Sequence, residues 1–182
     1  CWDGLRVLVP ADWDMTVTQG ADDAGYLALA DRETVRLEIK WETIRRGEPE
    51  PADTATTYIR QLRKDAKKAD QDIHVEREIN LVSPPGTSSH TYEWRAAEAG
   101  FGLVTLCEEC KRLCHVVVKG SPGSMSRSFA RRVLGSFRDH PRDERVQWRF
   151  YDVEFETPPE LVIQKKELRT GCIRMTFGAR RV

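Results

Sequence analysis

No run of apolar residues in this sequence approaches the ~18 needed to cross a membrane, and no charged-then-apolar leader opens it. Neither sign of charge is in excess. Lys and Arg total 29 and Asp and Glu total 29, so no global field draws the chain to nucleic acid or to an anionic membrane. Histidine is scarce, at 74, 90, 115 and 140, and none stands beside a motif that would pair it with a nucleophile. The loop "GSPGS" at 120–124 lacks the Gly-Lys-Ser/Thr that cradles phosphate. The five cysteines are an odd number with three of them clustered, which is no disulfide framework. Reduced thiols in a cytoplasm are the expected setting, with no membrane partner.

What is present suits a folded protein. The 182 residues, 40% of them hydrophobic, are enough for one domain with its own core and an appendage. Charge is unevenly placed: residues 1–56 hold 12 acidic and 6 basic side chains, whereas residues 57–140 hold 10 acidic and 14 basic. Cys1 stands where a methionine would begin a chain. The expectation is a processed or excised chain, rather than a lipidated N-terminal cysteine, because "CWDGLRVLVP" enters a strand without a tether.

Periodicity supplies the elements. "GLRVLVP" alternates and ends at Pro10, and "WDMTV" runs back after a turn at Ala11-Asp12. "YLALAD" and "TVRLEIKWE" form a second hairpin around Asp31-Arg32-Glu33. In it Val35, Leu37, Ile39 and Trp41 share one face and Arg36, Glu38, Lys40 and Glu42 the other, so one side of this sheet is wet. Asp53 is the expected cap of a helix with a stripe of Ala55, Ile59, Leu62, Ala66 and Ala69. "DIHVEREINLV" resumes the strand period, with Arg77 interrupting its inward face and calling for a bulge or a partner carboxylate. "HTYEWRAAE" follows, a turn is expected at Gly100-Phe101-Gly102, and Leu103 to Val118 is apolar on both faces apart from the "EECKR" tip. That describes a covered central hairpin. A second helix is expected from Ser124 as cap, with Met125, Phe129, Val133, Leu134 and Phe137 buried and Pro141 as its stop.

The last segment repeats the first. "WRFYDVEFETPPELVIQ" follows the pattern of "WDGLRVLVPADWDMTV", with Val153 at the place of Leu5, Pro158 of Pro10 and Ile163 of Met15. A loop shorter by two residues then matches Gly171 with Gly25, Ile173 with Leu27 and Met175 with Leu29. The expected organisation is a domain over 1–140, a linker at 141–147 and a partial second repeat over 148–182. This favours a fragment of a tandem protein over three strands that extend the first sheet.

The opening "LRVLVPADWDM", the helix from Asp53, and "LVTLCEECKRLCHVVVKG" leading into "SRSFARRVLGSF" together resemble the PsbP-like fold. That family includes the photosystem II extrinsic protein and a small Ran-binding nuclear-import factor. The resemblance covers residues 1 to about 140 and rests on the order of elements. With the elements read above, the expected fold is α+β: an antiparallel sheet of about seven strands with two helices packed on it, followed by the first three strands of a repeat. As for function, the members that the chain resembles serve mostly by binding, so the resemblance implies a binding or assembly module rather than an enzyme, and carries no site residue over.

Chemistry is most concentrated in "TLCEECKRLCHVVV". Cys107 and Cys110 at a hairpin tip could offer two thiolates to one zinc, with Cys114 and His115 as further ligands. The last two are adjacent on a strand and so point to opposite faces, and only one of them joins easily. A redox pair would ordinarily sit at a helix N-terminus, and this one lies between strands beside Glu108 and Glu109. The plainer reading makes Cys107 and Cys114 small apolar fillers and Cys110 a turn residue, and no cofactor is then expected. A second candidate is the basic face Arg60, Arg63, Lys64, Lys67 and Lys68 of the first helix, which would dock an acidic partner or follow phosphates, with Arg127, Arg131 and Arg132 adding to it. A solvated helix face is its plainer reading, and nucleic acid is disfavoured because no aromatic is interleaved for stacking. The tryptophans read as packing. The leading expectation is a non-catalytic module for an unknown protein partner. The alternative is a zinc- or thiol-dependent enzyme centred on the Cys107 to His115 hairpin.

Overall fold

A computed structural model describes residues 4–20, 23–139, 145–150, 153–169 and 172–179. Trp2, His140, Pro141 and Gly171 lie outside the described residues. The chain divides into two compact units, Val7–Phe137 and a second made of Cys1–Arg6 with Arg138–Val182. The first strand, β1 (Leu5–Arg6), belongs to the smaller unit.

The larger unit runs through β2 (Asp14–Gly20), β3 (Ala24–Ala30), β4 (Val35–Thr43), α1 (Pro51–Lys68), β5 (His74–Arg77), β6 (Thr87–Arg95), β7 (Ala99–Cys107), β8 (Arg112–Gly120) and α2 (Arg127–Gly135). Its seven strands form one antiparallel sheet in the order β2-β3-β4-β8-β7-β6-β5. The class is therefore α+β, with a seven-stranded antiparallel sheet and two helices. After β4 the chain leaves through α1 to the far edge and returns strand by strand to the middle. Thus β8 closes against β4, and the doubly apolar β7–β8 hairpin becomes the covered centre.

Register assigns the faces, because paired residues across neighbouring strands point the same way. Glu38 pairs with Val117, Lys40 with His115, Val104 with His115 and Tyr92 with Gly102. On that face Ala55 and Ile59 of α1 bury themselves among Tyr92, Trp94, Val104, Leu106, Leu113 and Val117. The opposite face carries Leu37, Ile39, Phe101, Leu103, Val116 and Val118, each at most 1% exposed, and each such side chain contributes about 1.5–3 kcal/mol. The other helix, α2, belongs there: Arg127 Nε lies 2.7 Å from Oε2 of Glu93, the register partner of Phe101. The helices cover unequal areas. Because α1 lies over β6 and β7, no helix of the larger unit's described residues lies over the β2–β3–β4 half of its face.

Several local expectations give way. α1 begins at Pro51 with Glu50 as N-cap and no side-chain cap, since a proline's fixed φ suits the first helical position. Asp53 sits inside the first turn, where its charge meets the positive end of the helix dipole, and Ala69 is exposed beyond the helix. α2 is capped by Ser126, whose Oγ accepts the Phe129 N–H at 3.2 Å, while Ser124 Oγ donates to the Ser121 carbonyl at 2.9 Å and closes the preceding turn. Arg77 is exposed and ends its strand because Glu78 turns into left-handed backbone at φ 55°. Its guanidinium donates to Thr56 Oγ1 at 3.5 Å, so no charge is buried. Gly100 and Gly102 form no turn and lie within β7. They are glycines because the rings of Trp94 and Tyr92 occupy the space a Cβ would fill. "GLRVLVP" is a strand only over its Leu5–Arg6 portion, since the Leu8 N–H donates to Ser136 Oγ at 2.8 Å rather than to a strand neighbour.

In the smaller unit β1 pairs with β9 (Arg138–Asp139), β10 (Val146–Phe150) with β11 (Val153–Thr157), and β12 (Leu161–Arg169) with β13 (Cys172–Ala179). Trp148, 3% exposed, packs with Phe155 and Phe177 at centroid separations of 6.4 and 5.2 Å, and its indole N–H donates to Thr157 Oγ1 at 2.9 Å. The hairpin β12–β13 follows the ladder of β2–β3 at a constant offset of 148 residues. Met15↔Leu29 corresponds to Ile163↔Phe177, and Thr18↔Leu27 to Lys166↔Met175. The register shift recurs at the same place, between Met15 and Val17 and between Ile163 and Lys165.

Candidate functional site

The open half-face owes its character to alternation in β4. Each inward apolar residue there alternates with Arg36, Glu38, Lys40 or Glu42 on the α1 side. Of these, Lys40 and Glu42 line a cleft between the sheet and the side of the helix. Two adjoining hollows of about 540 and about 590 Å³ share Lys40, Thr54 and His115, a size that suits a small ligand or a few side chains of a partner. Across the floor runs one register row, Gln19, Tyr26, Lys40 and His115, drawn from four strands. Tyr58 of α1 forms the wall, its ring edge-on to the His115 imidazole at 4.8 Å.

Polar groups around the row are paired. Tyr26 donates to Glu38 Oε1 at 2.6 Å, and Lys119 Nζ lies 3.1 Å from Glu38 Oε2 and 3.9 Å from Glu98 Oε2. His115, 8% exposed, shares a 2.7 Å hydrogen bond between its Nε2 and the Tyr92 hydroxyl. Lys40 stands apart, exposed, with its ammonium 5.7 Å from the Tyr26 ring centroid.

Burial sets the protonation states. It lowers the His115 imidazole to about 4, helped by the Lys40 charge and opposed by Glu38. Burial likewise pushes the Tyr26, Tyr58 and Tyr92 hydroxyls above their usual range, with Glu38 adding to the effect. Burial pushes Glu38 up too, but the hydrogen bond from Tyr26 and the charge of Lys119 outweigh it and hold the carboxyl below its ordinary value. Glu98 is raised, first by burial and against the pull of Lys119. The cleft thus presents neutral rings and a neutral imidazole, with Lys40, Arg60 and Lys64 exposed beside Glu42 and Asp53. A phenol held protonated is a poor nucleophile, and an imidazole whose Nε2 is engaged is a poor base. The arrangement is suited to holding a ligand.

The sequence-selected residues are distributed differently. Cys107 closes β7 and Cys110 lies in the turn after it, their sulfurs within 4.8 Å of each other. Cys114 is buried on the α2 face opposite Trp41, and His115 lies on the α1 face. Among the described residues neither joins Cys107 and Cys110, because successive strand residues point apart. Arg60, Arg63, Lys64, Lys67 and Lys68 are all exposed on α1, and of these Arg60 and Lys64 rim the second hollow. Arg127 is held by Glu93 and Glu76, Arg131 donates to the Leu81 carbonyl and Arg132 lies over the Phe129 ring. These three stay on the other face. Trp41 and Trp94 are core residues at 3% and 2% exposure.

Tyr26, Tyr58 and Lys40 escaped selection as site residues. The signal was the wet face of β4, but nothing local told which part of it a helix would cover. No helix among the described residues is long and apolar enough to cross a membrane. Comparison with protein-family models finds no match, and comparison with curated proteins finds none either.

Proposed function

We propose that the chain is a non-catalytic binding or assembly module of PsbP-like kind, engaging a protein partner through the cleft beside α1. One observation carries this reading: α1 covers β6 and β7 and reaches His115 through Tyr58, but leaves Tyr26 and Lys40 of the same row beside an open cleft. A concave face that combines rings with the exposed cations of Lys40, Arg60 and Lys64 is suited to apolar and polar contacts with one partner. The PsbP-like assignment is supported by the element order, two hairpins, helix, antiparallel strands and helix, on a sheet whose last strand returns to the middle. A partial second copy in residues 148–182 belongs to the same reading, supported by the bulged ladders that coincide at a constant 148-residue offset (Met15 to Ile163). A reducing, cytoplasmic setting is supported by the odd cysteine count.

The test pans a random peptide library against the full chain and maps the selected peptides by ¹H–¹⁵N shift changes. Peptides that perturb Tyr26, Lys40, Tyr58 and His115 support the cleft as the docking face. Consistent mapping to α2 or to the outer edge of β2 rejects it.

A second reading rests on the approach of the Cys107 and Cys110 sulfurs, which makes a two-thiolate corner for zinc or for thiol chemistry. Metal analysis of protein purified without chelator decides it. Stoichiometric zinc with Cys107 and Cys110 unreactive would replace the docking reading with a metal centre at the β7–β8 turn.

A further inference from the structure

The cations on the α1 face differ in what they do. Lys119 is held between Glu38 and Glu98, and Arg36 by Asp31 at 2.5 Å. Among the described residues no ion pair is found for Lys40, which stands exposed at the centre of the row between Tyr26 and His115. Its charge reaches Glu38 without an ion pair, so among these cations it is the one with an ammonium open to an anion from outside.

His115 adds direction. Its ring is almost wholly buried yet touches both hollows. The Tyr92 hydroxyl, itself buried, has His115 Nε2 as its hydrogen-bonding partner. A buried hydroxyl donates where an acceptor is in reach, so Tyr92 gives its proton to Nε2. A neutral imidazole carries only one hydrogen, and it therefore sits on Nδ1. Among the described residues no hydrogen bond is found for Nδ1, and since the ring lines both hollows, an N–H there is placed to donate at the cleft.

We infer that the cleft is a carboxylate site, with Lys40 Nζ supplying the charge and His115 Nδ1–H a directed hydrogen bond, and that its ligand is an acidic segment of a protein partner. This rests on the docking reading above and names the chemistry of that face. Arg60 and Lys64 at the rim extend positive charge along α1, so neighbouring acidic residues of the same segment find partners. Glu42 at one mouth and Asp53 at the other bound the cationic stretch and limit its length. The rings of Tyr26 and Tyr58 pack the methylenes that carry the carboxylate.

The experiment uses the full chain and two fluorescein-labelled octapeptides, one of glutamate and one of glutamine, followed by polarisation and by ¹H–¹⁵N shifts. The glutamate peptide is expected to bind, shifting Lys40, His115 and Tyr58, and the glutamine peptide to bind at least about tenfold more weakly. Lys40→Met, at an exposed position, weakens the glutamate peptide about tenfold. Arg63→Ala and Lys67→Ala, on α1 but away from the hollows, change it less than about twofold. A long-range ¹H–¹⁵N correlation on unmodified protein reads the His115 tautomer directly and needs no variant that disturbs the core. A proton on Nε2 overturns the inference, as does equal weakening by Lys40→Met and Arg63→Ala. Glutamine peptide bound in the cleft as tightly as glutamate overturns the carboxylate assignment and leaves the docking face standing. Absence of cleft shifts with either peptide, alongside library peptides that map elsewhere, overturns both.

Discussion

Gly102 shows how one missing atom can set a site. It faces Tyr92 across the β6–β7 ladder, and a Cβ there would collide with the phenol ring. The ring so placed reaches His115, and His115 lines the cleft. Gly102→Ala should therefore destabilise the fold by about 1–3 kcal/mol through overpacking and break the Tyr92–His115 bond. Gly123→Ala, with nothing near its would-be Cβ, should stay within about 0.5 kcal/mol of wild type, and urea titration compares the two. His115 yields a pH prediction. Burial holds its folded-state pKa at about 4, below the ordinary imidazole value of 6.5. Between those values the unfolded chain holds the extra proton, so the contribution is complete above pH 6.5 and is lost as the pH falls toward 4. The loss is on the order of 3 kcal/mol. The difference between wild type and His115→Gln, measured by urea unfolding at pH 7 and pH 4.5, should shrink at the lower value. Asp31 acts in a separate window: the Thr34 and Glu33 N–H groups, then Arg36, hold its carboxyl at about 2, so its contribution fades only below pH 4.

At the scale of elements, the two helices are held at their starts by different means. α1 relies on Pro51 and on Asp53 in its first turn, whereas α2 relies on the Ser126 side chain. Ser126→Ala should cost about 1 kcal/mol, while Ser124→Ala, which removes only a turn contact, should cost about half as much or less. Equal costs in thermal melts would return the cap to Ser124. Much of this layer was legible beforehand. Alternation marked β4 and its wet face, and helical spacing marked Ala55, Ile59 and Ala66. The cap shifted by two residues because "SPGSMS" offers three serines, and local sequence does not say which lies where the chain first turns helical. The expected turn at Gly100 to Gly102 failed for a related reason: glycine marks either a turn or a close approach. Only the partner strand, with Tyr92 and Trp94 opposite, distinguishes them.

For the whole larger unit, the order β2-β3-β4-β8-β7-β6-β5 places the most apolar hairpin in the middle and short β5 at an edge. Hydrogen exchange should follow that order, because opening the centre requires disrupting both covered faces. The amides of β7 and β8 should be the slowest and those of β5 and the outer side of β2 faster by orders of magnitude, as read by native-state exchange. Uniform protection across the sheet would contradict this burial pattern.

The amino-acid sequence by itself determined what depends on neighbours along the chain: the alternation of β4 with its wet face, the doubly apolar β7–β8 run, two amphipathic helices, and the opposed directions of Cys114 and His115. Those follow from the periods of strand and helix, which any window of a few residues displays. Tertiary structure alone decided that Tyr26, Lys40 and His115 stand side by side. It also decided that α1 reaches His115 through Tyr58 but leaves Lys40 exposed, and that among the described residues Cys107 and Cys110 gain no ligand from Cys114 or His115. The physical reason is that each of these depends on which strand closes against which. That choice is made by burying the β7–β8 hairpin under both helices, a global minimisation of exposed apolar surface in which no single segment carries the answer.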